Sequence, residues 1–571
     1  MANQFLIKNT MQDMKNLSAI EIDGLKGNNP IYAGVELLGY YEKGDTPESI
    51  IYYYVDMENE QDPGPSDDAS IVEISGNKLV HKFLDRLHVQ YFGVSDMLPD
   101  NTSKLNKCIA YADTNNLIII IPNNGNAKYM FNGSINILAN TKIIGNKSYL
   151  TYSGDDVFIK CKGTATKYLY PNIQDLIIEK LNRDNIGIGM HVTYTRNNGQ
   201  FTNITYVGWD LAVKYGDNLE LSFLSTFSHC RFTNNKKGIV LLKESNGVTI
   251  ERCFFDNNSE YAIAVTQRAS SINILNCELE NNGRQAGGCA ILLDEAQAVL
   301  IQGNYCENNG FTDGLSPIIK FSSDTGLDTI GVFITNNYFN VGTVNSEGKI
   351  GIQPYKTQDL YIGNNRFYGT THSWDIDFSL GSNTKIQGFG NSFSSTSKIN
   401  LPAASLSGLL YDATNNQFYG TQLKLYGNNT KLVLTDRQNN NSSATIDLLN
   451  DRLRIKNQAD IIFSQFDGKT KTVRIPITYV ANSGLPATPY ADGELAFDTT
   501  GDILRIAKNG EWKAVNTDAT LIKRGIVYQA AAVADTTNVP STTYAQSEVH
   551  GILTELRELK ATLRIAGILA T

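Results

Sequence analysis

Three carboxylates recur at the same place in a repeated phrase: Asp256, Glu280 and Glu307 each follow an aromatic or apolar position and precede an Asn-Asn pair. Stacked on consecutive turns of a solenoid, neighbours would have backbones ~5 Å apart and the outer two ~10 Å apart, near the separations used by retaining and inverting glycosidases. Like charges held that close raise the pKa of at least one member, as general-acid work requires. The same positions, beside Asn257-Asn258, Asn281-Asn282 and Asn308-Asn309, also suit ordinary solvated turn acids. A second candidate cluster is Glu244, Arg268, Asp294, Glu295 and Asp324, which reads either as a site or as an ion-pair network across turns. Late in the repeats, Tyr355, Tyr361, Tyr368 and Trp374 offer aromatic faces for sugar rings, or a cover for a tapering core.

What would position these groups is a repeat. Its copies are HCRFTNN (229–235), VTIERCFFDNN (248–258), INILNCELENN (272–282), VLIQGNYCENN (299–309), VFITNNYFN (332–340) and LYIGNNRFY (360–368). One column holds Cys230, Cys253, Cys277, Asn304, Asn337 and Asn365, at steps of 23, 24, 27, 33 and 28 residues. Two residues later stand Phe232, Phe255, Leu279, Cys306, Phe339 and Phe367. A second strand per repeat is marked by GIVLL (238–242), AIAVT (262–266), AILLD (290–294), PIIKF (317–321) and IGIQ (350–353). Short β-branched strands at this period stack in parallel, each residue on its counterpart in the next coil. Ile250, Ile274, Ile301, Ile334 and Ile362 would then form an aliphatic ladder. The leucine-rich consensus and helical arcs of the main alternative are missing, so the reading is an all-β, right-handed parallel β-helix.

Composition narrows the partners. A formal net charge of −9 over 571 residues leaves no clustered basic footprint, so nucleic acid is not expected as a partner. The longest strong apolar run, LIIIIP (117–122), is strand length, so no membrane insertion is expected, and the N-terminus lacks the basic and apolar regions of a signal peptide. Seven cysteines occur without a Cys-x-x-Cys or His-x-x-His pair, so neither a metal nor another cofactor is expected. Cys230, Cys253 and Cys277 would stack at the inter-strand spacing, wider than a relaxed disulfide prefers, and read as reduced core thiols.

Before the repeats, VELLGYYEKGD (35–45), IIYYYVDM (50–57) and YFGV (91–94) make a compact β-rich unit. This wording resembles the segment that precedes the pectate-lyase-like β-helix of phage and prophage tailspike proteins. In that family Phe-Gly is usually followed by Gly-Asp-Gly-x-x-Asp-Asp-Thr, an amphipathic helix and paired strands. Here Ser95-Asp96 and Asp100-Asn101 stand in place of the glycine-rich acidic phrase. Asn101 or Thr102 is expected to cap a helix near 102–113 whose buried face is Leu105, Cys108, Ile109 and Ala112, closing the open end of the solenoid. The resemblance spans roughly residues 35–395, with its specific wording mostly before residue 150. It implies a virion tail location and assembly in the host cytoplasm, partners among other tail or baseplate proteins, and a bacterial surface polysaccharide as ligand. It transfers no catalytic residue, because tailspikes place their acids differently.

After the Ser-rich stretch at 394–408, alternating strands suggest a distal β-rich region, and residues 490–515 resemble a small β-hairpin module of phage fibres. Val549, Ile552, Leu556, Leu559 and Leu563 then follow at steps of 3 and 4, a heptad seam that one helix cannot bury alone and that fits a parallel homotrimer. The expected organisation is 1–88 an attachment domain, 89–400 the β-helix, 401–480 a β-rich distal domain, 481–517 a hairpin module and 518–571 a helical trimerisation segment. The functional expectation is a phage tail spike or fibre that adsorbs to a surface glycan, with or without polysaccharide depolymerase activity as a hydrolase or lyase. A non-enzymatic structural or head fibre and a secreted polysaccharide lyase are the alternatives.

Overall fold

In the computed structural model the described residues are 4–393, apart from 124, 197, 218–219, 311–315, 343–349, 370–373 and 381–382, together with individual strands beyond 393 as far as Ala514. The chain divides into two compact units, Met1–Val433 and Leu434–Thr571.

The first unit opens with a five-stranded sheet in the spatial order Leu6–Lys8, Val35–Leu37, Ile50–Val55, Asn77–Val80 and Ile71–Ile74. Two one-turn helices, Met11–Lys15 and Ala19–Asp23, are each started by a reciprocal capping box, Thr10 with Asp13 and Ser18 with Glu21. The helix Thr102–Asn115 then buries Leu105, Cys108, Ile109 and Ala112. Its first turn is capped differently from the sequence expectation. The Asp100 carboxylate accepts from the Thr102 N–H at 2.9 Å, while the Asn101 side chain accepts from the Ser95 N–H and donates to the Ser95 and Met130 carbonyls. Asn101 is fully buried, so its amide goes to fixing the chain around it. The polar face of this helix meets the first coil: Asn106 bonds the backbone of Ser134 and Asn136, and Asp113 accepts from the Asn140 N–H. Edge groups that no preceding coil could pair are thereby satisfied.

From there the chain winds as a right-handed parallel β-helix with three strands per coil. One coil illustrates the plan. Ser270–Leu275 belongs to the lead sheet, Glu278–Glu280 to a short sheet, and Cys289–Asp294 to a return sheet of eleven parallel strands running from Ile135–Asn136 to Ile399–Asn400. Lead-sheet stacking runs on through Asn383–Asn391 to Ser407–Asp412. The register is the one the repeats predict. In the lead sheet Ile250, Ile274, Ile301, Ile334 and Ile362 pair in succession, all fully buried. In the short sheet Phe232, Phe255, Leu279, Cys306, Phe339 and Phe367 do the same, with Phe232 and Phe255 stacked at 4.7 Å. The return sheet adds Ile239, Ile263, Ile291, Ile319 and Ile352. Each such isoleucine contributes roughly 1.5–3 kcal/mol of burial, so the core grows coil by coil.

The Asn-Asn phrase has a division of labour. Its first residue turns the chain out of the short sheet in the left-handed region: Asn234, Asn257, Asn281 and Asn308 have φ of 51–56°. Asparagine tolerates that conformation better than most residues. The second turns inward and forms a ladder. Asn235, Asn258, Asn282 and Asn309 each give Nδ2 to a short-sheet carbonyl of the preceding coil, and each of the first three also gives it to Oδ1 of the next asparagine, at 2.8–3.0 Å. The bend between lead and short sheets repeats the device. Asn276, Gly303 and Asn336 take positive φ, followed by inward Cys277, Asn304 and Asn337. Asn304, Asn337, Asn365 and Asn391 form the second amide ladder, and Cys230, Cys253 and Cys277 continue the column with thiols pointed at the same class of carbonyl, 3.3–3.6 Å away. All seven cysteines are free and buried.

Among the described residues of the second unit are two sets of antiparallel strands. Ser442–Leu449, Arg452–Lys456, Ile462–Asp467 and Thr472–Arg474 pair in sequence, as do Leu495–Asp498, Ile503–Lys508 and Glu511–Ala514. The heptad residues Val549, Ile552, Leu556, Leu559 and Leu563 lie outside the described residues. Among the described residues no helix is long and apolar enough to cross a membrane, which leaves open spanning by strands.

Candidate functional site

In a three-residue strand the middle side chain points inward and the two flanking ones outward. Each short-sheet strand therefore turns two residues away from the core, and stacking makes of them two adjacent outward columns, mostly solvent-facing, with Thr233 and Asn340 covered by their neighbours. One runs Thr233, Asp256, Glu280, Glu307, Asn340, Tyr368; the other runs Arg231, Phe254, Glu278, Tyr305, Tyr338, Arg366. The first contains all three carboxylates singled out from the repeats. The second adds a fourth, Glu278, in the same strand as Glu280.

The carboxylates are not equivalent. Glu280 sits between Asp256 and Glu307 and beside Glu278. Its partial burial, a hydrogen bond with Glu278 and the charges of Glu278, Glu307 and Asp256 together raise its pKa above the ordinary carboxylate range. Glu307 is fixed at both oxygens: Tyr305 donates its hydroxyl to Oε2 at 2.7 Å and Asn340 donates Nδ2 to Oε1 at 3.1 Å. That hydrogen bond to Glu307 also pushes the Tyr305 pKa up to about 12. Asp256 accepts from Asn257 at 2.8 Å and lies 3.9 Å from the Arg231 guanidinium. An open depression of ≈ 480 Å³ is bordered by Glu278, Glu280, Tyr305 and Glu307 and closed at the bend by Asn276 and Gly303.

Aromatic rings extend this face toward the C-terminal coils. Tyr305 stacks on Tyr338 at 5.2 Å with planes 7° apart, and Tyr338 approaches Tyr368 at 6.4 Å. Arg366 covers Tyr338, and on the N-terminal side Arg231 covers Phe254 at 4.8 Å. Of the four aromatic candidates, Tyr368 alone belongs to this face. Tyr361 lies on the lead sheet against Phe333, Tyr355 is packed on the core, and Trp374 follows Ile350 in the return sheet. Tyr305, Tyr338, Glu278 and Asn340 were not singled out from the sequence. The signal was partial: Glu278 and Tyr305 lie two residues before Glu280 and Glu307, and Asn340 follows Glu307 in its column, whereas Tyr338 reaches the face only through the neighbouring column of Tyr305.

The second cluster is built as a turn. Asp294 accepts from the Ser322 hydroxyl and the Asp324 N–H. Glu295 accepts from Ser323, from Thr325 through both hydroxyl and N–H, and from the Leu327 N–H. Burial raises the Asp294 pKa; for Glu295 burial acts the same way, but the hydrogen bonds from Thr325, Leu327 and Ser323 outweigh it and leave the pKa low. Arg268 faces the Gln297 amide, at 2.6 and 2.9 Å. Both carboxylates are almost fully buried and shape the 322–327 segment. Among the described residues no group of three or more His, Cys, Asp or Glu side chains is arranged to hold a metal ion.

Residues 173–314 match the family model described as a right handed beta helix region. No curated protein matches the chain. Among solved structures, the tailspike protein of Acinetobacter phage vB_ApiP_P1 is similar at 12% identity and a TM-score of 0.46, over 90% of this chain and 97% of that one. The gp42 tailspike of Acinetobacter phage vb_AbaP_AS12 shares 11% identity at a TM-score of 0.46, over 95% and 100%. The tailspike protein gp49 of Acinetobacter baumannii bacteriophage Fri1, described as a capsular polysaccharide depolymerase, shares 12% identity at a TM-score of 0.39, over 89% and 96%.

Proposed function

We propose that this right-handed parallel β-helix is the body of a phage tail spike that binds a bacterial surface polysaccharide and hydrolyses it on the outward face of the short sheet. The observation that carries the reading is Glu280, a carboxylic acid held toward its protonated form one coil away from Glu307, with stacked tyrosines beside the pair. A fold alone does not name an activity, so the argument rests on these groups. The tailspike-like wording of residues 35–146 supports the phage context, and the heptad at 549–563 supports a homotrimer in the virion tail.

In the proposed reaction Glu280 gives its proton to the glycosidic oxygen as the bond to the anomeric carbon breaks. Glu307, oriented by Tyr305 and Asn340, attacks that carbon from the opposite side. Adjacent coils put the two backbones ~4.8 Å apart, which fits the ~5–5.5 Å carboxyl separation of retaining enzymes. Water then attacks the glycosyl ester, the Glu280 carboxylate takes its proton, and Glu307 leaves as the free carboxylate.

The test applies purified full-length protein to lawns of candidate hosts and to their purified capsules. Haloes and shortened chains from the wild type, lost in Glu280→Gln and Glu307→Gln, are the expected result. Tight binding with no shortening by the wild type would instead identify a non-enzymatic adhesin.

A further inference from the structure

The proposed cleavage face leaves open what kind of sugar it accepts, and its hydrogen-bonding character answers that. Asp256, Glu278, Glu280 and Glu307 occupy three successive coils of the two columns. Asn340, the next residue in the Glu307 column, is more than nine-tenths buried; its Nδ2 goes to Glu307, while its Oδ1 has no partner among the described residues. A buried acceptor without a donor carries a desolvation cost that a ligand hydroxyl or amine can relieve. The cations sit at the margins and are engaged: Arg231 over Phe254 and near Asp256, Arg366 over Tyr338, and Arg284 on Asn281, with Arg252 exposed one coil before the depression. The middle of the face thus offers acceptors, negative charge and ring faces. Ring faces attract cations as well as apolar surface.

We infer that the central subsites take a donor-rich glycan segment made of amino or neutral sugars, and exclude uronic acids. This inference rests on the cleavage-face reading above and names its substrate class. A uronate placed between Glu278 and Glu307 would set a further negative charge beside carboxylates on both sides, a like-charge juxtaposition that disfavours binding. An ammonium on the sugar reverses the sign of the same interaction and gains a stacking partner in Tyr305 or Tyr338.

Three tetrasaccharides of matched length test it on the full-length protein by calorimetry at pH 6 and low salt: fully deacetylated chitotetraose, cellotetraose and tetragalacturonate. The expected order is chitotetraose first, cellotetraose weaker, and tetragalacturonate at least tenfold weaker than chitotetraose. In Glu278→Gln/Glu280→Gln the chitotetraose advantage over cellotetraose should shrink at least fivefold, and Tyr338→Ala should weaken both neutral and amino ligands. The inference is overturned if tetragalacturonate binds as tightly as chitotetraose, if the double variant keeps the full advantage, or if none of the three binds at 10 mM. These outcomes separate from those of the cleavage test. Capsule shortening that depends on Glu280 alongside a failed charge order removes only the substrate class, and the right charge order without any shortening removes only the hydrolase.

Discussion

Two stacks of like polar residues run along this solenoid in the same register, one inside and one outside, with opposite consequences. Inside, Asn235, Asn258, Asn282 and Asn309 are self-complementary: an amide is donor and acceptor at once, so each copy satisfies the next. Outside, Asp256, Glu280 and Glu307 are acceptor-only when ionised, and each copy repels the next. Repetition therefore stabilises the interior column and leaves the exterior one frustrated. The cost is tolerable at the surface, where solvent screens it. What remains is a carboxyl group that holds its proton unusually well.

The largest effect should come from breaking the inner stack. Asn282→Leu strands the Asn258 N–H and takes the amide from the Phe255 carbonyl, while Asn258 Nδ2 keeps the Phe232 carbonyl and Asn309 Oδ1 keeps the main-chain N–H of residue 282; at roughly 1–3 kcal/mol per buried unsatisfied group the loss should be about 3 kcal/mol. A large drop in urea midpoint for Asn282→Leu, against little change for the outward Asn281→Gly, which keeps the left-handed turn, would support the comparison; equal effects would break it. Next in size is the outer stack. Glu280→Gln should lower the rate of glycan cleavage by about 10²-fold or more, the scale of general-acid catalysis, without loss of stability.

A pH scan sharpens the same contrast. Because the folded-state pKa of Glu280 is raised, folding loses stability as pH climbs from the ordinary carboxylate value through the raised one, and the penalty is then constant. Wild type minus Glu280→Gln thermal midpoint should fall across that window, and cleavage by the wild type should decline as pH passes the raised value and the acid loses its proton. A flat difference would remove Glu280 as the strained member. The smallest effect is expected where the inner column changes chemistry. Cys277→Asn should be neutral or stabilising by up to about 1 kcal/mol, since an amide there would donate to the Ile250 carbonyl and to Asn304 Oδ1 and extend the ladder that starts at Asn304. Cys277→Ala, losing the thiol contact, should cost about 1 kcal/mol more than Cys277→Asn in the same unfolding assay.

The amino-acid sequence by itself determined the coil. Ile, Phe and Asn recurring at steps of 23 to 33 residues admit one arrangement in which every copy meets its like, and the register of the lead, short and return sheets is that arrangement. It also named the carboxylate column, because a residue's place in a repeat is its place in the stack. Only the tertiary structure decided which residues share a face with that column. Glu278, Tyr305 and Tyr338 come from the neighbouring outward column, Tyr361 and Trp374 from different sheets, and Asp294 and Glu295 from a turn they hold together. The physical reason is that spacing along a repeat sets height on the solenoid, whereas facing depends on where each coil bends. Those bends are made by single left-handed residues, and at the bend between lead and short sheets the residue type changes from coil to coil, Arg252, Asn276, Gly303 and Asn336, so no one letter in the repeat marks where the chain changes direction.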